Sequence, residues 1–237
     1  NYDNLLIGWS ALPLNQGFPV PVVFNAGNSQ YCEGGNARQS IIDNFGWTIN
    51  DGGLDPLCDR ANDFVTTWKT DNPGTSNSTS ITIPTFAGET YNYDVDWDND
   101  GIFDELGLIG SITHDFGTAG TYKIRIRGTF PRIYFSNVGD KDKILSIDQW
   151  GTIAWTSMFN AFFGCSNLVL NATDAPDLSN VTSMINMFNG CASLNSSLNL
   201  WDVSNVNNFA AMFASPGAKV NQMISGANDT FIMLDHN

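Results

Sequence analysis

"DLSNVTSMINMFNGCASLN", residues 177–195, is followed by "DVSNVNNFAAMFASPGAKVN", residues 202–221. Asp177 and Asp202, Val181 and Val206, and Phe188 and Phe213 are each 25 positions apart. Upstream, "TSMFNAFFGCSNL" (156–168) precedes "TSMINMFNGCASL" (182–194) by 26 positions. There Met158 matches Met184, Phe162 matches Phe188, Cys165 matches Cys191 and Leu168 matches Leu194. Such a period marks one small structural unit repeated along the chain, its recurrent apolar residues facing a shared core. Phe162, Phe188 and Phe213 are therefore expected to be buried at equivalent places in successive units. Beyond Asn221 the pattern fades.

A weaker copy lies at the other end. "VVFNAGN" (22–28) and "WTINDGG" (47–53) are also 25 apart, aligning Asn25 with Asn50 and Gly27 with Gly52. Each is a short strand-like run closed by turn residues, and helix-like stretches, "YDNLLIGWSAL" and "ARQSIIDNF", precede them. A strand plus a helix every 25 residues is the arithmetic of a leucine-rich-repeat solenoid, whose coils must stack because none can bury its apolar side alone. In that frame Cys165 and Cys191 fall one above the other as small buried thiols, and Asn180 and Asn205 bond backbone within the coil.

Between the repeats the periodicity changes. Residues 55–80 read as a polar connector, with "KTDNPGTSNSTS" as its loop-like part. From 81 onward, Tyr91, Tyr93, Val95 and Trp97 alternate with Asn92, Asp94 and Asp96, the period of a half-buried strand. Tyr122, Ile124 and Ile126 do the same against Lys123, Arg125 and Arg127, and "FPRIYF" (130–135) reads as a further strand. Short strands separated by Gly-rich turns indicate a small β-sandwich over 81–135.

"YNYDVDW" (91–97) with "ITHDFGTAGTYKIRIRG" (112–128) resembles a PKD-type β-sandwich, though "WDNDGIFDE" departs from the Gly-Asp-Gly turn of that family. "KILSIDQWGTIAWTSMFNAFFGCSNL" and the "DxSNV…MF.GC.SLN" repeats resemble the BspA-like leucine-rich-repeat surface proteins of Bacteroidota. Residues 1–9, 26–32 and 37–53 are similar to the closing part of such an array. These resemblances imply a cell-surface or secreted adhesin, exported by type IX secretion and taking a protein or glycan ligand on a surface. The expected architecture is mixed and mainly β, with leucine-rich-repeat-type solenoid coils at both ends and a PKD-like sandwich between. Its segments would be closing coils over 1–54, a linker over 55–80, the sandwich over 81–135 and a second array from 136 to 237.

The segment "DVDWDNDGIFDE" (94–105) holds six acidic residues, whose mutual repulsion is relieved by a cation among them. Asp96, Asp98, Asp100, Gly101 and Asp104 fit D-x-D-x-D-G-x-x-D, the first nine positions of a calcium loop, with the Ile102 carbonyl at the seventh. The twelfth position, usually a bidentate Glu, is Gly107, so Glu105 or an outside group would substitute. No helical pattern flanks the loop, which points to a loop between strands rather than an EF-hand. The expectation is one structural Ca²⁺ on Asp96, Asp98, Asp100, Asp104 and the Ile102 carbonyl. The competing reading is an acidic turn in which Arg125 or Arg127 faces Asp94 or Asp96 across neighbouring strands.

Composition narrows the partners. Acidic residues outnumber basic ones 24 to 10, for a net charge of −14, a field that repels nucleic acid and anionic membranes. No apolar run approaches the roughly 18 residues of a membrane span. The start at Asn1, without an initiator Met or signal-peptide pattern, reads as a mature product or an excerpt of a longer chain. Cys32, Cys58, Cys165 and Cys191 lack zinc-site spacing and leave disulfide pairing, Cys32–Cys58 or Cys165–Cys191, open. Of the two histidines, His114 reads as a structural strand-end residue and His236 lies near a chain end. Without G-x-S-x-G, Walker, H-E-x-x-H or C-x-x-C signatures, an enzyme is not expected. A non-catalytic adhesin segment is the primary expectation, and a passive spacer joining repeat arrays the alternative.

Overall fold

A computed structural model of the chain describes residues 2–12, 22–31, 35–53, 55, 61–194, 196 and 198–214. The chain divides into two compact units, Asn1–Arg60 and Ala61–Asn237.

In the first unit, helix α1 (Tyr2–Ser10), strand β1 (Val23–Asn25), helix α2 (Gly35–Phe45) and strand β2 (Thr48–Asn50) follow in order. β1 and β2 pair in parallel with Asn25 opposite Asn50. Leu6 of α1, Ile41 of α2, and Trp47 and Ile49 around β2 form a small separate core. Asp51 ties the unit together: it accepts hydrogen bonds from the Tyr2 hydroxyl at 2.7 Å and from Arg38 Nε at 2.8 Å.

The second unit is built on one sheet of six strands in the order β10-β9-β3-β8-β5-β6. These are β3 (Phe64–Lys69), β5 (Asn92–Asp96), β6 (Glu105–Leu108), β8 (Thr121–Thr129), β9 (Ile144–Gln149) and β10 (Val169–Leu170). A second, two-stranded sheet pairs β4 (Ser80–Ile83) with β7 (Ile112–Asp115). Ile81 and Ile83 of β4 join the same apolar cluster as Phe64 and Trp68 of β3, Tyr93 and Val95 of β5, and Ile124 and Ile126 of β8. The period-two pattern of β5 and β8 thus marks their inward faces. The interval read from sequence as a connector contains β3, the strand between β8 and β9. Its inward residues alternate as Phe64, Thr66 and Trp68, all fully buried. The polar Thr66 breaks the apolar signal, and its Oγ1 accepts from Trp68 Nε1 at 2.8 Å.

The repeats do not form leucine-rich-repeat coils. Among the described residues the helices are α1 and α2 alone, both in the first unit, so no strand-plus-helix period exists from 136 onward. The expected closing coils over 1–54 are a two-stranded sheet with two short helices around a small core of its own, not a solenoid. Nor is a sandwich set apart between two arrays: β9 and β10, from the repeat-bearing segment, complete the same sheet as β3, β5 and β8, and one apolar cluster runs from Phe64 to Phe213. Likewise "FPRIYF" contributes only an isolated bridge, Ile133 to Thr85.

The repeats instead stack as layers of turns. Phe162 N donates to Met187 O at 3.0 Å and Phe188 N to Met212 O at 2.9 Å. Within each layer, bonds close over three residues, as from Cys165 N to Phe162 O and from Cys191 N to Phe188 O, both 3.1 Å. A helix cannot propagate here because backbone positions recur in the left-handed region. Asn160 and Asn186 have φ of 56° and 54°, and Gly164 and Gly190 of 85° and 84°, conformations that L-residues other than Asn and Gly avoid. Phe162, Phe188 and Phe213 are buried and stack ring on ring, with centroids 5.7 and 5.9 Å apart. The column begins on the sheet, where Phe135 packs against both Trp68 and Phe162. Asn205 Nδ2 reaches across layers to Ser179 O at 3.0 Å, whereas Asn180 Nδ2 lies only 3.5 Å from Ser179 Oγ.

Candidate metal centre

The acidic loop, residues 97–104, joins β5 to β6, an antiparallel hairpin. Asp96 is the last residue of β5 and is fully buried. Its carboxylate accepts from Asn99 N at 2.6 Å and Gly101 N at 2.8 Å. That curl needs positive φ at Asn99 (62°) and Gly101 (96°), which Asn tolerates and Gly adopts freely. Asp98 Oδ1 accepts from Asp100 N at 3.2 Å, and Asp100 Oδ1 from Ile102 N at 2.7 Å. Asp104 closes the loop, accepting from Trp97 N at 2.8 Å.

This curl brings Asp96, Asp98 and Asp104 together, each offering a carboxylate oxygen within 4.8 Å of the others. Oxygens bound 2.3–2.6 Å from one calcium ion are at most about 5 Å apart, so the three fit one coordination shell of hard donors. Asp100 lies outside this trio. Ile102 has an exposed side chain and could contribute only its carbonyl.

Of the two arginines opposite the acids, Arg127 pairs with the acid it faces. β5 and β8 place Asp94 across from Arg127 and Asp96 across from Arg125, the strand neighbourhood in which charge pairing competes with metal binding. Arg127 Nε does bind Asp94 Oδ2 at 2.9 Å, and its guanidinium lies over Phe103. Arg125, however, donates from Nε to Asn99 Oδ1 at 2.6 Å and pairs with Asp63 at 3.4 Å. Among the described residues no salt bridge reaches Asp96, Asp98 or Asp104. Cation pairing therefore accounts for Asp94 and not for the trio.

Burial pushes the Asp96 carboxyl above its ordinary pKa, reinforced by the charges of Asp98 and Asp100 and opposed by the Gly101 and Asn99 amides. The native state then holds a proton more tightly than the unfolded chain. Ionised Asp96 lowers stability as pH rises from the ordinary carboxylate value through the raised one, and the deficit persists at neutral pH. A divalent ion would remove that deficit.

His114 stacks on Trp97 with centroids 4.3 Å apart, and its Nδ1 lies 3.5 Å from Glu105. His236, Cys32 and Cys58 lie outside the described residues. Cys165 and Cys191 are buried free thiols, and burial pushes the Cys191 thiol up to about 12.

Two buried cations escape a reading of the sequence. Lys143 is fully buried and donates to Asn77 O and Ser76 Oγ at 2.7 Å and to Ser80 O at 3.0 Å. Arg132 is 7% exposed; its one sequence signal is a charge inside the apolar run "FPRIYF".

Residues 133–231 match a family described as "Mycoplasma protein of unknown function, DUF285". The matched segment starts at the bridge residue Ile133 and takes in the turn layers, the same repeats that resemble BspA-like surface proteins. No curated protein and no solved structure matches the chain. Among the described residues no helix is long and apolar enough to cross a membrane.

Proposed function

We propose that the chain is a non-catalytic segment of a cell-surface or secreted adhesin, in which the sheet and turn layers form a scaffold stiffened by calcium. The observation that carries this reading is the convergence of Asp96, Asp98 and Asp104 within 4.8 Å of one another, with no salt bridge to any of them among the described residues. Asp100 and the Ile102 carbonyl complete the proposed shell. Extracellular calcium is abundant enough to fill a modest site, and an acidic chain of net charge −14 draws cations. The ion would fix the β5–β6 hairpin against β8, the strand that also carries Arg125 and Arg127.

A passive spacer is favoured by one observation: no aromatic residue is among the exposed large hydrophobics of the described residues. Among the described residues the layers therefore present no fully exposed ring of the kind that anchors many binding surfaces.

Calcium is tested by melting the chain in calcium and in chelator, with terbium luminescence sensitised by Trp97 as a direct readout. Free calcium at a hundred times its dissociation constant adds about 2.7 kcal/mol, or about 5–10 °C in a unit of this size. Asp98→Asn with Asp104→Asn should abolish both effects. Superimposable melting curves with and without calcium would sink the calcium reading.

A further inference from the structure

Arg132 leaves the β8 strand end just before the first layer of turns, and its guanidinium is poorly satisfied. Of its five N–H donors, Nη2 donates to Phe159 O at 3.1 Å, while Nε is buried without a partner. Among the described residues Nη1 has no hydrogen-bond partner and is not enclosed. The nearest influential carboxylate, Glu89, acts on Arg132 through charge but forms no salt bridge with it, and its Oε1 accepts from Thr156 Oγ1 at 2.9 Å.

Aromatic rings surround the cation instead. Its Cζ lies 4.0 Å from the Phe86 ring centroid, 4.8 Å from Tyr134 and 5.7 Å from Phe159. All three rings are only partly buried, so they border the surface where Nη1 emerges. The setting is rigid: Tyr91 Oη donates to Arg132 O at 2.7 Å and accepts from Phe86 N at 2.9 Å, fixing ring and arginine backbone together. Ring faces attract a cation, yet they leave its N–H edge without acceptors, and a buried donor without an acceptor is costly. Arginine remains charged in this setting.

We propose that Arg132 is the recognition residue of a site for a carboxylate carried on a sugar ring, a uronic acid. A carboxylate oxygen takes Nη1, the guanidinium nitrogen that is neither bonded nor enclosed among the described residues, in a charge-assisted hydrogen bond. The ring rims of Phe86, Tyr134 and Phe159 meet the sugar's C–H faces. A single charge on an otherwise neutral body suits a chain of net charge −14, which repels polyanions. The site gives a ligand class to the binding role proposed above and rests on that role, but it does not involve the metal.

The test is a calorimetric titration of the whole chain with D-glucuronate, its methyl ester, D-glucose and acetate, in calcium and in chelator. Glucuronate is expected to bind at least tenfold more tightly than each of the other three, and Arg132→Lys to weaken it about tenfold, since lysine has no planar group to hold a donor at the position of Nη1 while bonding Phe159 O. Ester or glucose binding as tightly as the acid would overturn the role of the charge; acetate doing so would overturn the saccharide. No saturable binding at about 50 mM, far above a roughly 1 mM dissociation constant, would overturn the site altogether. The acid-to-ester ratio is read on the parent chain, so it decides even if Arg132→Lys fails to fold. Glucuronate binding that persists in chelator supports this site whatever becomes of the calcium reading.

Discussion

A column of side chains at the left-handed positions of the layers should respond to two substitutions with opposite signs. Asn186 Nδ2 donates to Asn160 Oδ1 at 3.0 Å, Asn160 Nδ2 to Ser136 Oγ at 3.3 Å, and Asn189 Nδ2 to Asn186 Oδ1 at 3.2 Å. The next position in the column is Ala211, with φ of 53°. Ala has no side-chain polar group and bears a left-handed penalty of about 1–2 kcal/mol, which Asn largely escapes. Ala211→Asn should therefore relieve about 1 kcal/mol of strain and add a hydrogen bond to Asn186 worth about 0.5–1.5 kcal/mol. Some of that is offset by ordering an exposed side chain, leaving a gain of about 1–2 kcal/mol. Asn186→Ala should lose two bonds and acquire the strain, about 2–5 kcal/mol in all. At 2–4 °C per kcal/mol for a unit of this size, the first raises Tm by about 2–8 °C and the second lowers it by about 4–20 °C. Differential scanning calorimetry reads both, with hydrogen exchange at 184–189 to detect local loosening. Destabilisation by Ala211→Asn, or an unchanged Tm in Asn186→Ala, would refute the ladder.

Gly190→Ala should cost about 2–4 kcal/mol in urea unfolding, because its φ is 84° and an added Cβ would sit 2.9 Å from Gly164 Cα; a loss under 1 kcal/mol would show that the layers yield easily. Asp140→Asn should cost about 3–5 kcal/mol at pH 7, since the fully buried carboxylate accepts from Thr75 N, Ser76 N and Thr82 N and lies 4.0 Å from Lys143. Although burial raises the Asp140 pKa, the Ser76 and Thr82 donors and Lys143 outweigh it, so its pKa falls below 3.8. Its contribution is whole above that value and is lost as pH falls through the lowered one. The gap between parent and Asp140→Asn should accordingly narrow below about pH 4, and a gap constant with pH would count against the assignment.

What could be read in the sequence, and what could not, follows from what a period encodes. A repeat of 25 residues states which side chains recur, and burial of Phe162, Phe188 and Phe213 follows from that alone. It does not state the conformation between the recurring positions. A helix is the expectation there because leucine-rich repeats commonly have one. The contrary signal was present in the same letters: Asn160 with Gly164 and Asn186 with Gly190 put two left-handed residues into each run of five, and no α-helix survives that. β3 was hidden for a different reason. Buried between neighbours, it needs no polar outer face, and Thr66 satisfies itself against Trp68 Nε1, so neither alternation nor hydrophobicity marks it. The acidic loop was the most legible feature, since spacing alone placed Asp96, Asp98 and Asp104 on one curl. The position of Asp100 outside that trio was not legible, because it depends on the path of the curl and not on the spacing of the acids. The same limit hid Arg132 and Lys143. A lone charge in an apolar or polar run gives its type and not its environment; the rings around one cation and the carbonyls around the other are gathered from segments far apart in the chain, by the stacking of layers on the sheet.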